Sequence, residues 1–447
     1  MNIVLVGAGE VGFNLSKVLS KEGYNLTIID IDPNKCNRVN NNLDAKVIEG
    51  NGASQRILQK INLEDVKYFL ALTKIDEINL VASSIAKKLG AKKVITRLRN
   101  TEYVHKRAVM KPEDFGIDYV IYPEKAAKSE IFNLIKETSA VEIKGFKNDK
   151  VKLIGVKLEH SSPLIGRTVN NVQLSNPYLE HQVAVIDRDD HTFIPHKETI
   201  YNKEDVVYFV VDDINIDLIQ KMAGKPPFKV NNIMILGLGK LGRLLAKSLQ
   251  VDYNVKILET NAEKAKKYSS DLDECLILIG DGLDLELLES ENIFENDCFI
   301  AATENQETNM LASMIAKNYN VKQVIMHINS SSYLKSIRRI GVDAIVSKSI
   351  SAVNKILNIL ESDKEEIQIS RFEDIDIDVL EIKALPDCKY FIKNYQISDI
   401  PESICLGALI RDDEIIIPSY NTTININDDL VLFVKPENIS KAENLFQ

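Results

Sequence analysis

Two stretches of the chain carry glycines at a spacing suited to phosphate: Gly7-Ala8-Gly9-Glu10-Val11-Gly12 and Gly237-Leu238-Gly239-Lys240-Leu241-Gly242. Each follows an apolar run and opens a helical pattern, the context in which a G-x-G-x-x-G string binds a mono- or dinucleotide. The first glycine permits the tight turn, the second lets a phosphate approach the backbone, and the third lets the helix pack close to the sheet. The amino end of the helix then offers free N–H groups and a partial positive charge. At the end of the next apolar run stands a carboxylate, Asp30 in the first stretch and Glu259 in the second. It is placed to accept both ribose hydroxyls, which favours NAD(H) or an adenine nucleoside over a 2′-phosphorylated cofactor that it would repel. Asp32 is a secondary acid beside Asp30.

The surroundings of the two stretches differ. Lys240 replaces Glu10 and Arg243 replaces Phe13 at the glycine loop, while His327 and Asn329 stand where the first half has Arg97 and Arg99. The first site is therefore expected to draw its phosphate-neutralising charge from Arg97 or Arg99, and the second from Lys240 or Arg243. Gly50-Asn51-Gly52 and Gly280-Asp281-Gly282 follow the third strand, where Asn51, Gly52 and Asp281 would wall an adenine or simply make a turn. Thr73 and Thr303 close the fourth strand at the sheet edge where open α/β folds bind ligands. Asp76 opens the following helix and reads as its cap rather than a ligand contact.

A two-fold repeat sets this arrangement. An offset of 237 − 7 = 230 carries Gly7, Gly9 and Gly12 onto Gly237, Gly239 and Gly242, and likewise Gly50, Thr73, Glu77, Asn79 and Lys87 onto Gly280, Thr303, Glu307, Asn309 and Lys317. Later the register slips by five, pairing Gly116-Ile117-Asp118 with Gly341-Val342-Asp343, and slips again before the matching segments Ile186–Val210 and Ala408–Val434. Short apolar runs at Ile3–Val6, Leu26–Ile29, Lys46–Glu49, Tyr68–Leu72, Lys93–Thr96 and Tyr119–Tyr122 alternate with helical patterns such as Glu77–Leu89. That order gives a parallel sheet covered on both faces. The fold expected is α/β, two tandem doubly wound Rossmann-like lobes at 1–138 and 230–362. Each is followed by a small α+β lobe, at 139–222 and 366–447, whose short alternating strands turn at Arg188-Asp189-Asp190 and Arg411-Asp412-Asp413. Lys225-Pro226-Pro227 reads as the linker between halves. The helical segments Pro123–Thr138 and Ser349–Ser362 correspond; Ile131, Phe132, Leu134 and Ile135 suit either an intradomain core or a crossing to the neighbouring domain.

The chain's 447 residues suit roughly two to four domains. With 27% charged residues and a net charge of −10, clustered basic footprints for nucleic acid are not expected. No run approaches the ~18 apolar residues of a bilayer span, and the opening lacks a signal peptide's basic flank, so a cytoplasmic location is expected. Cys36, Cys275, Cys298, Cys388 and Cys405 form no CxxC pair and read as buried spacers. His181, His191 and His196, with His160 upstream, share no helix face, and no metal site is expected there.

The duplicated glycine motif, the Gly-Asn/Asp-Gly loop, the Thr73…Asp76-Glu77-x-Asn79 string and the β-rich lobes together resemble the regulator-of-potassium-conductance (RCK, or KTN) family. Two copies in one chain resemble its tandem branch, the TrkA-type peripheral subunits of Trk potassium uptake. The resemblance implies a ring of paired domains, a homotetramer of two-domain chains on the inner face of the membrane, joined to a TrkH- or TrkG-like potassium channel. It implies that ATP, ADP or NAD(H) binds at Gly7, Gly9, Gly12 and Asp30, and at Gly237, Gly239, Gly242 and Glu259, and shifts the ring without catalysis. The competing expectations are an NAD-dependent oxidoreductase, which needs a positioned acid or base, and a regulator of a different cation transporter or exchanger.

Overall fold

The structure, a computed structural model, describes residues 1–447 apart from 106, 139, 147–150, 190, 330–340, 362–366, 373–375, 420 and 447. In the first N-terminal lobe the apolar runs become β1 (Asn2–Val6), β2 (Asn25–Asp30), β3 (Lys46–Glu49), β4 (Val66–Ala71), β5 (Lys93–Arg97) and β6 (Tyr119–Ile121). Helices α1 (Glu10–Lys21), α2 (Pro33–Asn42), α3 (Gln55–Leu58) and α4 (Asp76–Lys88) connect them, and α5 (Pro123–Lys136) follows the last strand. The strands pair in parallel in the order β3-β2-β1-β4-β5-β6. The winding reverses between β1 and β4, and there an open α/β sheet leaves a crevice beyond its carboxyl edge.

The first C-terminal lobe comprises β7 (Glu142–Phe146), β8 (Val151–Lys157), α6 (Val169–Ser175), β9 (Gln182–Arg188), β10 (His191–Phe193), β11 (Val206–Asp212) and α7 (Ile216–Met222). Its antiparallel sheet runs β10-β9-β11-β8-β7.

The second half repeats the plan. Its Rossmann lobe holds β12 (Asn232–Leu236), α8 (Lys240–Leu249), β13 (Asn254–Glu259), α9 (Ala262–Tyr268), β14 (Cys275–Ile279), α10 (Leu285–Ser290), β15 (Cys298–Ala301), α11 (Gln306–Asn318), β16 (Gln323–Ile328), β17 (Ala344–Ser347) and α12 (Lys348–Glu361). Its C-terminal lobe holds β18 (Ile367–Phe372), β19 (Ile377–Lys383), α13 (Lys389–Ile392), β20 (Ile404–Arg411), β21 (Glu414–Ile416), β22 (Asp429–Val434) and α14 (Ile439–Phe446). Sheet orders β14-β13-β12-β15-β16-β17 and β18-β19-β22-β20-β21 match the first half strand for strand.

Helices α5 and α12 leave their own sheets. Ala127, Ile131, Leu134 and Ile135 of α5 join the core built on Ile233, Ile235, Leu241 and Leu245 of the second half. In return Ala352, Val353, Ile356, Leu357 and Leu360 of α12 complete the core over Ile3, Leu5, Leu15 and Tyr68 of the first. Polar contacts fasten the exchange: Gln323 Nε2 donates to the Leu134 carbonyl at 2.8 Å, and Ser351 Oγ to Glu130 Oε2 at 2.6 Å. Burying one aliphatic side chain stabilises by about 1.5–3 kcal/mol, so each half supplies a substantial part of the other's core. Of the two readings the sequence left for these helices, the structure has the crossing.

The two C-terminal sheets pack face to face. Leu153, Tyr208 and Val210 meet Val379, Val431 and Phe433 in one core, with the Phe146 and Phe433 rings edge to face at 6.0 Å. The two lobes thus share one sandwich, with helices over its outer faces. At the hairpin turns Asp189, Asp412 and Asp413 take positive φ, while Asp190 lies outside the described residues. Arg188 and Arg411 brace these hairpins with paired bonds to the buried Asp205 (2.8 and 2.8 Å) and Asp428 (2.9 and 2.7 Å).

Candidate functional site

At the switch point of the first sheet the chain leaves β1 through Gly7, whose φ of +103° belongs to the left-handed region that glycine alone enters readily. A methyl group on Gly12 would overlap the Gly7 carbonyl oxygen, so α1 can pack this close only with glycine there. A side chain on Gly9 would meet no protein atom within 4 Å. The protein's own packing does not demand that glycine, and the space it leaves opens into the cleft. Helix α1 starts at Gly9 with no side-chain cap, whereas α2 is capped by Asp32 through the Asn34 amide at 3.0 Å. Uncapped N–H groups at a glycine turn are the donors that a phosphate uses. The second half repeats this at Gly237 (φ +98°), Gly242 and the equally uncapped Gly239.

Asp30 ends β2 almost buried, at 8% exposure. Its Oδ2 accepts from the Ala8 amide at 2.6 Å and its Oδ1 from the Asp32 amide at 2.9 Å. Lys35 lies 3.8 Å from Oδ1. Two N–H bonds hold the carboxylate at the cleft wall and leave acceptor capacity on each oxygen. Asp32 caps α2 through Oδ1, and its Oδ2 lies 3.7 Å from Lys35.

Thr73 and Asn79 form a compact knot. Asn79 Oδ1 accepts from the Thr73 amide (3.0 Å) and hydroxyl (2.6 Å), while its Nδ2 donates to the carbonyls of Thr73 (3.1 Å) and Arg97 (2.8 Å). Thr303 and Asn309 repeat it with the carbonyl of His327. The knot ties the ends of β4 and β5 together, so the threonine hydroxyl is committed to the loop. Asp76, expected to cap its own helix, instead accepts from the amides of Arg99 (2.9 Å) and Asn100 (2.7 Å) beyond β5. Gly52 and Gly282 are required by packing, since a methyl group on either would overlap Val6 or Leu236.

Arg97 ends β5 and lines the same cleft as the Gly7–Gly12 turn. Burial depresses its guanidinium below the ordinary arginine value, Glu124 opposes the shift, and Arg99 adds to it. It remains a cation at neutral pH. Its Nε is buried without a hydrogen-bond partner among the described residues, and its nearest bond is a long 3.5 Å one to the Thr73 carbonyl. A half-buried cation with an unpartnered Nε, lining the same cleft as free helix N–H groups, is suited to an oxyanion.

Gly7, Gly9, Glu10, Val11, Asp30, Asn51, Gly52, Thr73, Arg97 and Arg99 line one cleft of about 640 Å³. That volume lies within the ~300–1,000 Å³ usual for small-molecule sites. Part of its wall comes from the other half, through Glu304, Asn329, Lys348 and Ser349, with Lys348 Nζ paired to Glu304 at 3.2 Å. Lys35, Glu124 and this trans wall were not found by sequence reasoning, because they depend on how the halves face each other. The one available signal was Lys348 itself, a cation at the start of the crossing helix.

The second half presents a different set. His327, at 1% exposure, has neither ring nitrogen hydrogen-bonded among the described residues. Burial, with the charge of Lys348, pushes its pKa down to about 3, against a weaker pull from the Thr303 backbone. It is a neutral group where the first half has a cation. Arg243, expected near phosphate, stacks on the Tyr268 ring at 3.8 Å, the mirror of Arg38 on Phe13 at 3.8 Å. The offset of 230 exchanges the two partners: Phe13 corresponds to Arg243 and Arg38 to Tyr268. Lys240 opens α8 as Glu10 opens α1, and Asp281 stands on the loop after β14. Glu259 accepts from the amides of Leu238 (2.9 Å) and Asn261 (3.0 Å) and from Lys264 Nζ (2.8 Å). Burial raises its pKa, but Lys264 and the two amides outweigh this and hold the carboxyl below the ordinary glutamate value.

Both glycine turns fall inside segments recognised as one domain type. A family model described as the TrkA-N domain matches residues 3–123 and again residues 233–348. The chain belongs to the TrkA family. The two matched TrkA-N segments end at Pro123 and Lys348, where the crossing helices begin. The chain is 30% identical to the Trk system potassium uptake protein TrkA of Vibrio alginolyticus, over 100% of this chain and 99% of that protein. It is also 30% identical to a TrkA homolog of Archaeoglobus fulgidus over the full length of both. Among solved structures it resembles the GsuK RCK domain (TM-score 0.60, 15% identity, 100% of this chain and 94% of that one) and the GsuK channel bound to NAD (TM-score 0.59, 14% identity, 100% and 78%). At such identities the resemblance is one of fold. The TrkA relationship therefore rests on sequence along the whole chain, and the RCK likeness on architecture.

Proposed function

We propose that this chain is a nucleotide-sensing regulatory subunit of a Trk-type potassium-uptake system, acting without turnover on a channel-forming membrane subunit. The first cleft carries the reading, because its phosphate loop, Asp30 and Arg97 face a wall supplied by the second half. A ligand that touches both halves favours one of their relative arrangements, and only such differential affinity can shift a conformational equilibrium. Coupling of about 1–3 kcal/mol per site is typical, and several sites in one assembly would add.

The relatives' names supply potassium uptake as the system, and structures titled GsuK bound to NAD and to ADP supply the ligand classes. NAD(H), ATP and ADP all satisfy the cleft's chemistry, with adenosine ribose on Asp30 and phosphates on the Gly7–Gly12 turn and Arg97. Assembly as a homotetramer, peripheral on the inner membrane face beside a TrkH- or TrkG-like subunit, completes the proposal. Among the described residues no helix is long and apolar enough to cross a membrane. In the proposed assembly, lobes 1–138 and 230–362 sense, and lobes 139–222 and 366–447 clamp the halves together.

Reconstitution with a Trk membrane subunit in liposomes tests the reading. Potassium flux is expected to change on adding NADH, ATP or ADP, and Asp30→Ala is expected to shift that change to about tenfold or more higher nucleotide concentration. Flux indifferent to all three nucleotides, or consumption of NADH with carbonyl substrates, would refute it.

A further inference from the structure

The two ribose-reading carboxylates differ in how much acceptor capacity they retain. An ionised carboxylate has two oxygens and about four lone-pair sites. On Asp30 each oxygen takes one backbone N–H, from Ala8 and from Asp32, and Lys35 stays at 3.8 Å, beyond hydrogen-bond reach. One lone pair per oxygen remains, the number that two vicinal ribose hydroxyls require. On Glu259 the Oε2 atom accepts from the Leu238 amide (2.9 Å) and Lys264 Nζ (2.8 Å). Its Oε1 atom accepts from the Asn261 amide (3.0 Å) and the Thr260 hydroxyl (3.3 Å). Both oxygens are filled by the protein itself.

Lys264 makes the strongest of these extra contacts, a charge-assisted bond to a carboxylate only 6% exposed. The offset of 230 places Asn34 at the corresponding position of the first half, where the side chain is an uncharged amide. At the phosphate end, the half-buried Arg97 cation is replaced by the buried His327, with both ring nitrogens unpartnered among the described residues. The second half thus retains the glycine turn but meets a ribose with a saturated acid and a phosphate with an uncharged ring.

We propose that Lys264 is a built-in competitor for the ribose hydroxyls, which makes the second cleft the weaker and later-filling of two unequal nucleotide sites in each chain. The inference rests on the nucleotide-binding reading above and deepens it. Filling the second site requires Lys264 to leave Glu259, so the two halves respond to different ranges of nucleotide concentration. Lys264 is 37% exposed and can swing into solvent without disturbing the core.

Titration of the full chain with NADH, followed by calorimetry and by nicotinamide fluorescence, tests this. Wild type should show two unequal sites, and Asp30→Ala should leave only the weak one. In the Asp30→Ala background, K264N should tighten that remaining site by at least about tenfold, the worth of one charge-assisted bond. K264R keeps the competing cation and should bind as Asp30→Ala alone does. Two equal sites in wild type, or K264N affinity unchanged in the Asp30→Ala background while wild type still binds at its first site, would overturn the role of Lys264 and leave the nucleotide reading standing. No binding at either site would overturn both. Circular dichroism spectra of K264N and K264R that match wild type distinguish lost competition from a change of fold.

Discussion

Arg97 and His327 occupy one structural position in two copies of a lobe, and the single substitution changes what each cleft can attract. Arg97 faces the first cleft with a charge that the protein only partly satisfies, through Glu124 and a long contact to Thr73. Arg97→Gln is therefore expected to weaken ADP binding by ~10–100-fold, the ~1.5–3 kcal/mol of a charged hydrogen bond, and to leave adenosine binding nearly unchanged. Equal losses for both ligands, measured by calorimetry, would contradict a phosphate role. For His327 the consequence is acid sensitivity. The unfolded chain takes up the proton near 6.5, whereas the folded state resists until about 3. The stability contributed by the neutral ring is thus complete above pH 6.5 and is lost as pH falls toward 3. One proton of difference changes stability by ~1.4 kcal/mol per pH unit. Between pH 6.5 and 5, wild type should lose about 2 kcal/mol relative to His327→Leu in urea unfolding; parallel pH profiles would refute this. The glycine turns, Asp30 and Arg97 were legible because residue type and spacing declare them. The saturation of Glu259 was not, since it needs Lys264 brought back one helical turn onto the strand end.

At the scale of elements, every strand of the first Rossmann lobe could be read from continuous apolarity, and the second followed by repeat. The destination of α5 and α12 could not. An apolar stripe such as Ile131, Leu134 and Ile135 shows that a helix is buried, not against which of two nearly identical sheets. The same ambiguity hid the shared C-terminal sandwich, because inward-facing residues like Val210 and Phe433 alternate identically whether their cover is a helix or another sheet. The exchange carries its own consequence. Ile356, 0% exposed on α12, fills the first half's core from the second half of the chain. Ile356→Ala should cost about 2–5 kcal/mol. It should raise amide exchange in α1 and β1, more than two hundred residues away, before it does so in β12. Exchange confined to the second half would argue against the crossing. Segments 1–228 and 229–447 made separately are each expected to leave the monomeric state, and when mixed to form a 1:1 complex by light scattering. A stable, cooperatively melting monomer of either segment would contradict the structure.

At the scale of the molecule, the exchanged helices and shared sandwich join four lobes into two interdependent halves, with one cleft walled by both. In the proposed function that arrangement couples ligand binding to the relative position of the halves, so that a nucleotide is sensed without being consumed. The account stands on an adenine nucleotide held by Asp30 and the Gly7–Gly12 turn. Calorimetric titration of the intact chain with NADH, ATP and ADP, set against the same titrations of Asp30→Ala, addresses this most directly. The account predicts saturable binding of at least one of the three, weakened about tenfold or more in the variant through loss of the ribose acceptor. Absence of heat with every nucleotide, or identical affinity in Asp30→Ala, would contradict it.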